Sequence, residues 1–101
     1  MDAVVNLFDY RGQSFQALCK TAKSSADLFT LPPGHDPGHE ATHGGDQIIY
    51  VIEGGATAQV AGEEREVKAG DLVIIPAGTP HTLRTGAQSL FALTILAPPE
   101  R

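Results

Sequence analysis

Four histidines hold most of the chemistry this sequence can offer, and three of them fall in one short segment, His35–Gly45, HDPGHEATHGG. The fourth, His81, follows the break Pro76-Ala77-Gly78-Thr79-Pro80. Imidazole is the commonest side-chain ligand of transition metals and titrates near neutrality, so these residues point to a metal site or a general base. His39–His43 reads H-E-A-T-H, a formal match to the H-E-x-x-H motif of zinc proteases. That motif works only on a helix, where residues four apart share a face and the glutamate polarises the zinc-bound water. Here Pro37-Gly38 precede it and Gly44-Gly45 follow, leaving five residues between breakers. A helix that short is marginal, so the segment is expected to be loop-like and the protease reading is set aside.

The elements that must hold these side chains read as short strands. Leu72-Val73-Ile74-Ile75 is an apolar run bounded by Gly-Asp and Pro, the pattern of a buried strand. The Pro-x-Gly-x-Pro break after it predicts a tight turn, because proline fixes φ and removes a donor. His81 then opens the returning strand, His81–Arg84, at the mouth of whatever the strands enclose. Upstream, strands are expected over Phe15–Thr21 and Ala26–Leu31, joined by turn residues Lys23-Ser24-Ser25, with Pro32-Pro33-Gly34 ending regular structure. Gln47–Glu53 is expected as a strand, Gly54-Gly55 as a turn and Ala56–Val60 as a strand. Ala61-Gly62-Glu63 is expected as a hairpin turn, and Arg65–Lys68, Asp71–Ile75 and Ser89–Ile95 complete the set. No stretch has a convincing helical period. Eight or nine short strands punctuated by Gly and Pro predict an all-β sandwich or barrel.

Two stretches name a family. Gly70–Thr85 resembles the second signature of the cupins, G-x5-P-x-G-x2-H-x3-N, with Gly70, Pro76, Gly78 and His81 in register and Thr85 where the family has asparagine. Asp46–Gly54 resembles the second half of the first signature, with Gln47 in place of the metal-binding glutamate, followed by six residues and Gly54. The resemblance implies a jelly-roll barrel over residues 1–101, with residues 1–14 an N-terminal arm or edge strand and residues 96–101 a Pro-rich tail. It also implies a mononuclear divalent ion held by His43, His81, His39 and Gln47. The first signature, G-x5-H-x-H-x3,4-E-x6-G, fits in neither register. Counted from Gly34 its histidine places fall on Glu40 and Thr42; counted back from Gln47 they fall on Ala41 and His43. His39, with the strand parity of Ala41, is the natural substitute. Fully extended, His39 and His43 are about 13 Å apart at Cα, so they can share an ion only if the chain bends. Gln47 removes one negative charge and the obvious general base. Asp36, Glu40 and Asp46 are nearby carboxylates that could compensate or simply be solvated, and His35 reads as a loop residue.

What the resemblance implies about activity divides two ways. An imidazole-rich site with open positions suits Fe, Mn, Ni, Cu or Zn and either dioxygen chemistry on a small organic substrate or isomerase-type proton transfer. The missing glutamate weighs more against the second. The competing reading is a non-enzymatic small-molecule-binding or structural cupin whose metal site has degenerated.

Bulk properties narrow the partners. A net charge of −5 with scattered Lys and Arg argues against a nucleic-acid surface. The lone Cys19 cannot form an internal disulfide and reads as a buried structural thiol. No apolar stretch approaches the ~20 residues of a membrane span, and the N-terminus lacks a signal-peptide pattern, so a cytoplasmic protein is expected. If Gln47, Ile49 and Val51 face inwards, then Ile48, Tyr50 and Ile52 face outwards, although they too are large and apolar. Either the chain's own N-terminal strands cover them or a second subunit does; cupin habit favours a homodimer, with a small-molecule ligand inside the barrel.

Overall fold

The structure is a computed structural model that describes residues 3–100. Seven strands form it: β1 Phe15–Lys20, β2 Ser25–Leu31, β3 Asp46–Val60, β4 Glu63–Lys68, β5 Leu72–Ile75, β6 His81–Arg84 and β7 Leu90–Ala97. All the strand pairings are antiparallel. The first half of β3 lies in one layer, ordered β1-β2-β7-β3-β5; its second half lies in the other, between β4 and β6. The result is the expected jelly-roll barrel. Its core is Ile49, Val51, Ala56, Ala58, Val73, Ile75, Leu90 and Ala92.

A single strand serves both layers because of two local devices. Between Val51 and Glu53 the register against β7 shifts by one residue, a β-bulge. Odd residues face inwards before it, with Gln47, Ile49 and Val51 all buried; even residues face inwards after it, with Ala56 and Ala58 buried. Gly54 and Gly55 then carry the chain across the corner. Gly54 has φ +81°, and a Cβ there would run into the Ser89 carbonyl oxygen. The turn expected at Gly54-Gly55 is therefore a bend inside one continuous strand, since glycine accepts positive φ and close backbone approach without breaking the ladder.

The turns elsewhere follow the residues. Ala61 and Gly62 both have positive φ, at 52° and 84°, and close a two-residue hairpin between β3 and β4. The strand after Pro80 begins at His81 as expected. In the N-terminal stretch, expected as an arm or an edge strand, Leu7–Tyr10 forms a 3-10 helix capped by the Asn6 side chain accepting from the Phe8 N–H. Phe8 packs 6.4 Å from Phe91, and Arg11 makes a two-pronged contact with Glu53 at 2.8 and 2.9 Å. Both contacts lie on the outer face of the β1-β2-β7-β3-β5 layer. Residues 1, 2 and 101, parts of the expected arm and tail, lie outside the described residues. Among the described residues no helix is long and apolar enough to cross a membrane.

Candidate functional site

The His35–His43 segment bends at Gly38–His39 and then runs antiparallel beside β6. Ala41 exchanges both backbone hydrogen bonds with His81, at 2.9 and 3.0 Å, and the Thr85 N–H donates to the His35 carbonyl at 3.0 Å. HEATH is thus not helical. At its far end the Gly78 N–H of the Pro76–Thr79 turn donates to the His43 carbonyl at 2.8 Å. The proline–glycine turn therefore does two jobs: it starts β6 at His81 and ties His43 next to it. The two rings stand 5.3 Å apart, centroid to centroid, tilted by 44°.

That separation can be compared with what one ion requires. A metal–nitrogen bond of ~2.1 Å puts each imidazole centroid roughly 3.2 Å from the metal, so two rings at a tetrahedral angle are about 5.2 Å apart. His43 and His81 meet this spacing. His81 is 7% exposed. Its Nδ1 donates to the Thr79 carbonyl at 3.0 Å, which leaves Nε2 with a free lone pair. His43 Nδ1 lies 2.9 Å from Glu100 Oε1, near enough for attraction when the ring is protonated. The two atoms are nevertheless off the hydrogen-bonding line, and the nitrogen has no hydrogen-bond partner.

Gln47 faces the interior from β3, 9% exposed. Its Nε2 donates to Thr94 Oγ1 at 2.9 Å, while its Oε1 is buried with no partner. Gln47 and His81 line the same cavity of about 190 Å³, walled by Phe29, Leu31, Ile49 and Leu83 and edged by His35, Pro37, His39 and Ala41. Larger clefts of about 420 and 490 Å³ lie beside Gly55 and beside Asp27, but no histidine lines either.

Of the four sequence-selected residues, the structure thus pairs His43 with His81 and sets Gln47 on the cavity His81 lines. His39 reaches the cavity rim but is exposed, and no group of three or more His, Cys, Asp and Glu among the described residues could hold a metal ion. The intervening Ala41 is pinned to His81 by the two-way bridge, so the chain does not fold His39 back toward His43. Ala41 itself faces His81, and a methyl group fills the position of the first signature histidine. His35 is half-buried and its backbone is fixed by Thr85, whose hydroxyl accepts from the His35 N–H at 2.8 Å and donates to the Pro32 carbonyl. Thr85 therefore serves the loop instead of the cavity.

The donor set fits an ion that prefers nitrogen: two imidazoles at ligand spacing and a neutral amide oxygen lacking any partner. Among the described residues no carboxylate lines the cavity. Three supporting residues escaped the sequence reading. Thr94 is the one polar residue of an otherwise apolar β7, and that interruption was a visible signal. Thr79, whose main-chain carbonyl orients His81, and Glu100, beside His43, left none.

The model of the cupin domain family matches residues 27–95. An uncharacterized protein of Streptomyces coelicolor is 30% identical over 76 residues, spanning 75% of this chain and 71% of the relative. Among solved structures, BH2720 of Bacillus halodurans is 31% identical with a TM-score of 0.86, over 97% of this chain and 82% of that one. TT1209 of Thermus thermophilus is 26% identical with a TM-score of 0.78, over 94% and 96%. The matched span begins within β2, ends within β7 and contains the His43–His81 pair, Gln47 and the wall between them; by fold and by sequence, the chain belongs to the cupin family.

Proposed function

We propose that this protein is a small metal-binding cupin that acts on a small organic molecule in its barrel. The observation that carries the reading is the convergence of acceptors in one apolar enclosure. Gln47 Oε1 is buried without a partner, which costs ~1–3 kcal/mol, and His81, with Nδ1 on the Thr79 carbonyl, has its Nε2 lone pair free. An electron-pair acceptor satisfies both, and the His43 ring stands where it could contribute a third donor. Gln47 Nε2 donates to Thr94 Oγ1, which leaves the amide oxygen over, and the Thr79 carbonyl fixes the His81 tautomer. Phe29, Leu31 and Leu83 make that side of the cavity apolar. The cavity of about 190 Å³ is smaller than the ~300–1,000 Å³ of drug-sized sites, so the organic partner is small.

When bound, a divalent ion such as Fe, Mn, Ni, Cu or Zn would polarise a substrate oxygen and, if redox-active, exchange electrons with dioxygen. Among the described residues no Asp or Glu lines the cavity to shuttle a proton, which favours oxygenase over isomerase chemistry. The test is metal analysis of untagged protein purified without chelator. About one ion per chain is expected for the wild type and almost none for His81→Ala. A metal-free wild type, or full occupancy in the variant, would overturn the assignment.

A second reading has its own observation. Ala41 occupies the place of a ligand and no three-residue cluster of His, Cys, Asp and Glu forms among the described residues, as in a cupin that binds a small molecule without metal. A metal-free protein whose melting temperature rises with a metabolite would favour it.

A further inference from the structure

The cleft of about 490 Å³ beside Asp27 opens on the inner face of β1 and β2. Register places its polar groups. Ser25 opposes Leu96 and Asp27 opposes Thr94 on β7, and those two oppose Gln47 and Ile49 on β3, so all share the inner face. Phe15 of β1 extends that face and is 61% exposed on it. Glu100 of the C-terminal tail also lines the cleft, and its Oε1 is the atom 2.9 Å from His43 Nδ1. Ser25 is 8% exposed, yet among the described residues its hydroxyl has no hydrogen-bond partner. The Asp27 carboxylate likewise has no hydrogen bond and no ion pair among the described residues, and burial alone raises its pKa. Lys20 sits on the rim, opposite Ser25, with its side chain exposed to water.

We propose that this cleft binds a small organic ammonium ion, with Asp27 as counter-ion, the Ser25 hydroxyl accepting an N–H and Phe15 against the hydrocarbon part. The site needs no metal and stands apart from the reading of the histidine pair. Its chemistry selects the occupant. A hard metal cation needs about six or more oxygen ligands, and no group of three His, Cys, Asp and Glu among the described residues could hold one. An anion would meet two carboxylates, Asp27 and Glu100. A neutral apolar molecule would cover Asp27 and Ser25 and leave both unpaired, which is costly. An ammonium ion supplies donors to both and favours the ionised carboxylate that burial disfavours, while its carbon chain meets Phe15, Ala17 and Leu96. The net charge of −5 also draws cations toward the protein. The volume lies within the ~300–1,000 Å³ of small-molecule sites.

The test is an amide NMR titration of the full chain at neutral pH with n-butylammonium chloride, beside n-butanol and butyrate of like shape. Saturable shifts at Ala17, Ser25 and Asp27 are expected with n-butylammonium and none with butyrate. Butanol should bind about tenfold more weakly or worse, because hydrogen bonds to a charged group outweigh neutral ones. Asp27→Asn, which keeps the shape and removes the charge, should weaken n-butylammonium about tenfold. Ser25→Ala should weaken it severalfold, and carries the test should Asp27→Asn fail to fold. The titration is repeated in chelator, where the same shifts are expected. No saturable shift at these residues, butanol or butyrate binding as tightly, or folded Asp27→Asn and Ser25→Ala variants that both bind like wild type would overturn the proposal. So would a response lost in chelator, since the ammonium ion would then depend on the histidine site.

Discussion

Replacing Gln47 with leucine should stabilise this protein when no metal is present, the reverse of what truncating a buried polar group usually does. The wild-type amide is 9% exposed, with one hydrogen bond made, to Thr94, and one acceptor orphaned. Losing the Thr94 bond costs ~0.5–1.5 kcal/mol, while removing the orphaned carbonyl returns ~1–3 kcal/mol. Leucine, of similar volume, adds about 1 kcal/mol of apolar burial against Ile49 and the cavity wall. Thr94 is half-buried and can turn its hydroxyl to water. The net is a gain of roughly 1–2 kcal/mol, and for a domain of this size 1 kcal/mol moves Tm by about 4–8 °C. Thermal and urea melts in chelator should therefore show Gln47→Leu above wild type. Added metal should then raise wild-type Tm and leave the leucine variant less affected, because ligand binding to the native state stabilises by mass action. A chelated leucine variant that melts below wild type would mean the amide oxygen has a partner after all, and the reasoning from the orphaned acceptor would fail.

Two further substitutions probe the scaffold. Gly54→Ala should cost at least ~2 kcal/mol, because a Cβ at φ +81° carries the left-handed penalty and meets the Ser89 carbonyl; Gly86→Ala, with open space around it, should fall within about 0.5 kcal/mol of wild type in the same urea titration. Asp27 faces inwards from β2, and burial raises its carboxyl above the usual carboxylate range. Its folded state binds the proton more tightly than its unfolded state, so this group costs stability as pH rises through that raised value and costs nothing below the ordinary one. Asp27→Asn should thus raise Tm at pH 7 and lose that advantage as pH falls toward 4; equal shifts at both pH values would refute the assignment.

The strands, their order along the chain and the two signature stretches were legible from local pattern, because Gly and Pro punctuate short β-branched runs whose period is set by the backbone. So was His81: the turn that presents it is dictated by Pro76 and Gly78, whose φ preferences act over a few residues. The parity of β3 was not. Counting by twos from Gln47 is sound as far as Val51, but the bulge at Ile52 shifts the inward set from odd to even, and nothing in the letters of Val51-Ile52-Glu53 announces it. The cause lies across the sheet, where β7 starts opposite Gly54 just as β3 bends into the other layer. The Gly54-Gly55 pair has the same ambiguity, since glycine permits a turn and a bend alike; the approach of the Ser89 carbonyl selects the bend.

The candidate site divides along the same line. Residue types and spacing brought His39, His43, His81 and Gln47 forward, and a straight-strand distance of about 13 Å already set His39 apart from His43 unless the chain bent. Whether it bent depended on Ala41 pairing with His81 and on the Gly78 N–H catching the His43 carbonyl, both contacts between segments some 35 to 40 residues apart. Sequence by itself determined the barrel and the histidine that opens β6, because those follow from backbone preferences acting over a few neighbouring residues. Only the tertiary structure decided which other side chains stand beside that histidine and which amide oxygen is left without a partner. Those outcomes depend on how distant strands pair, and pairing is fixed by the packing of the whole barrel.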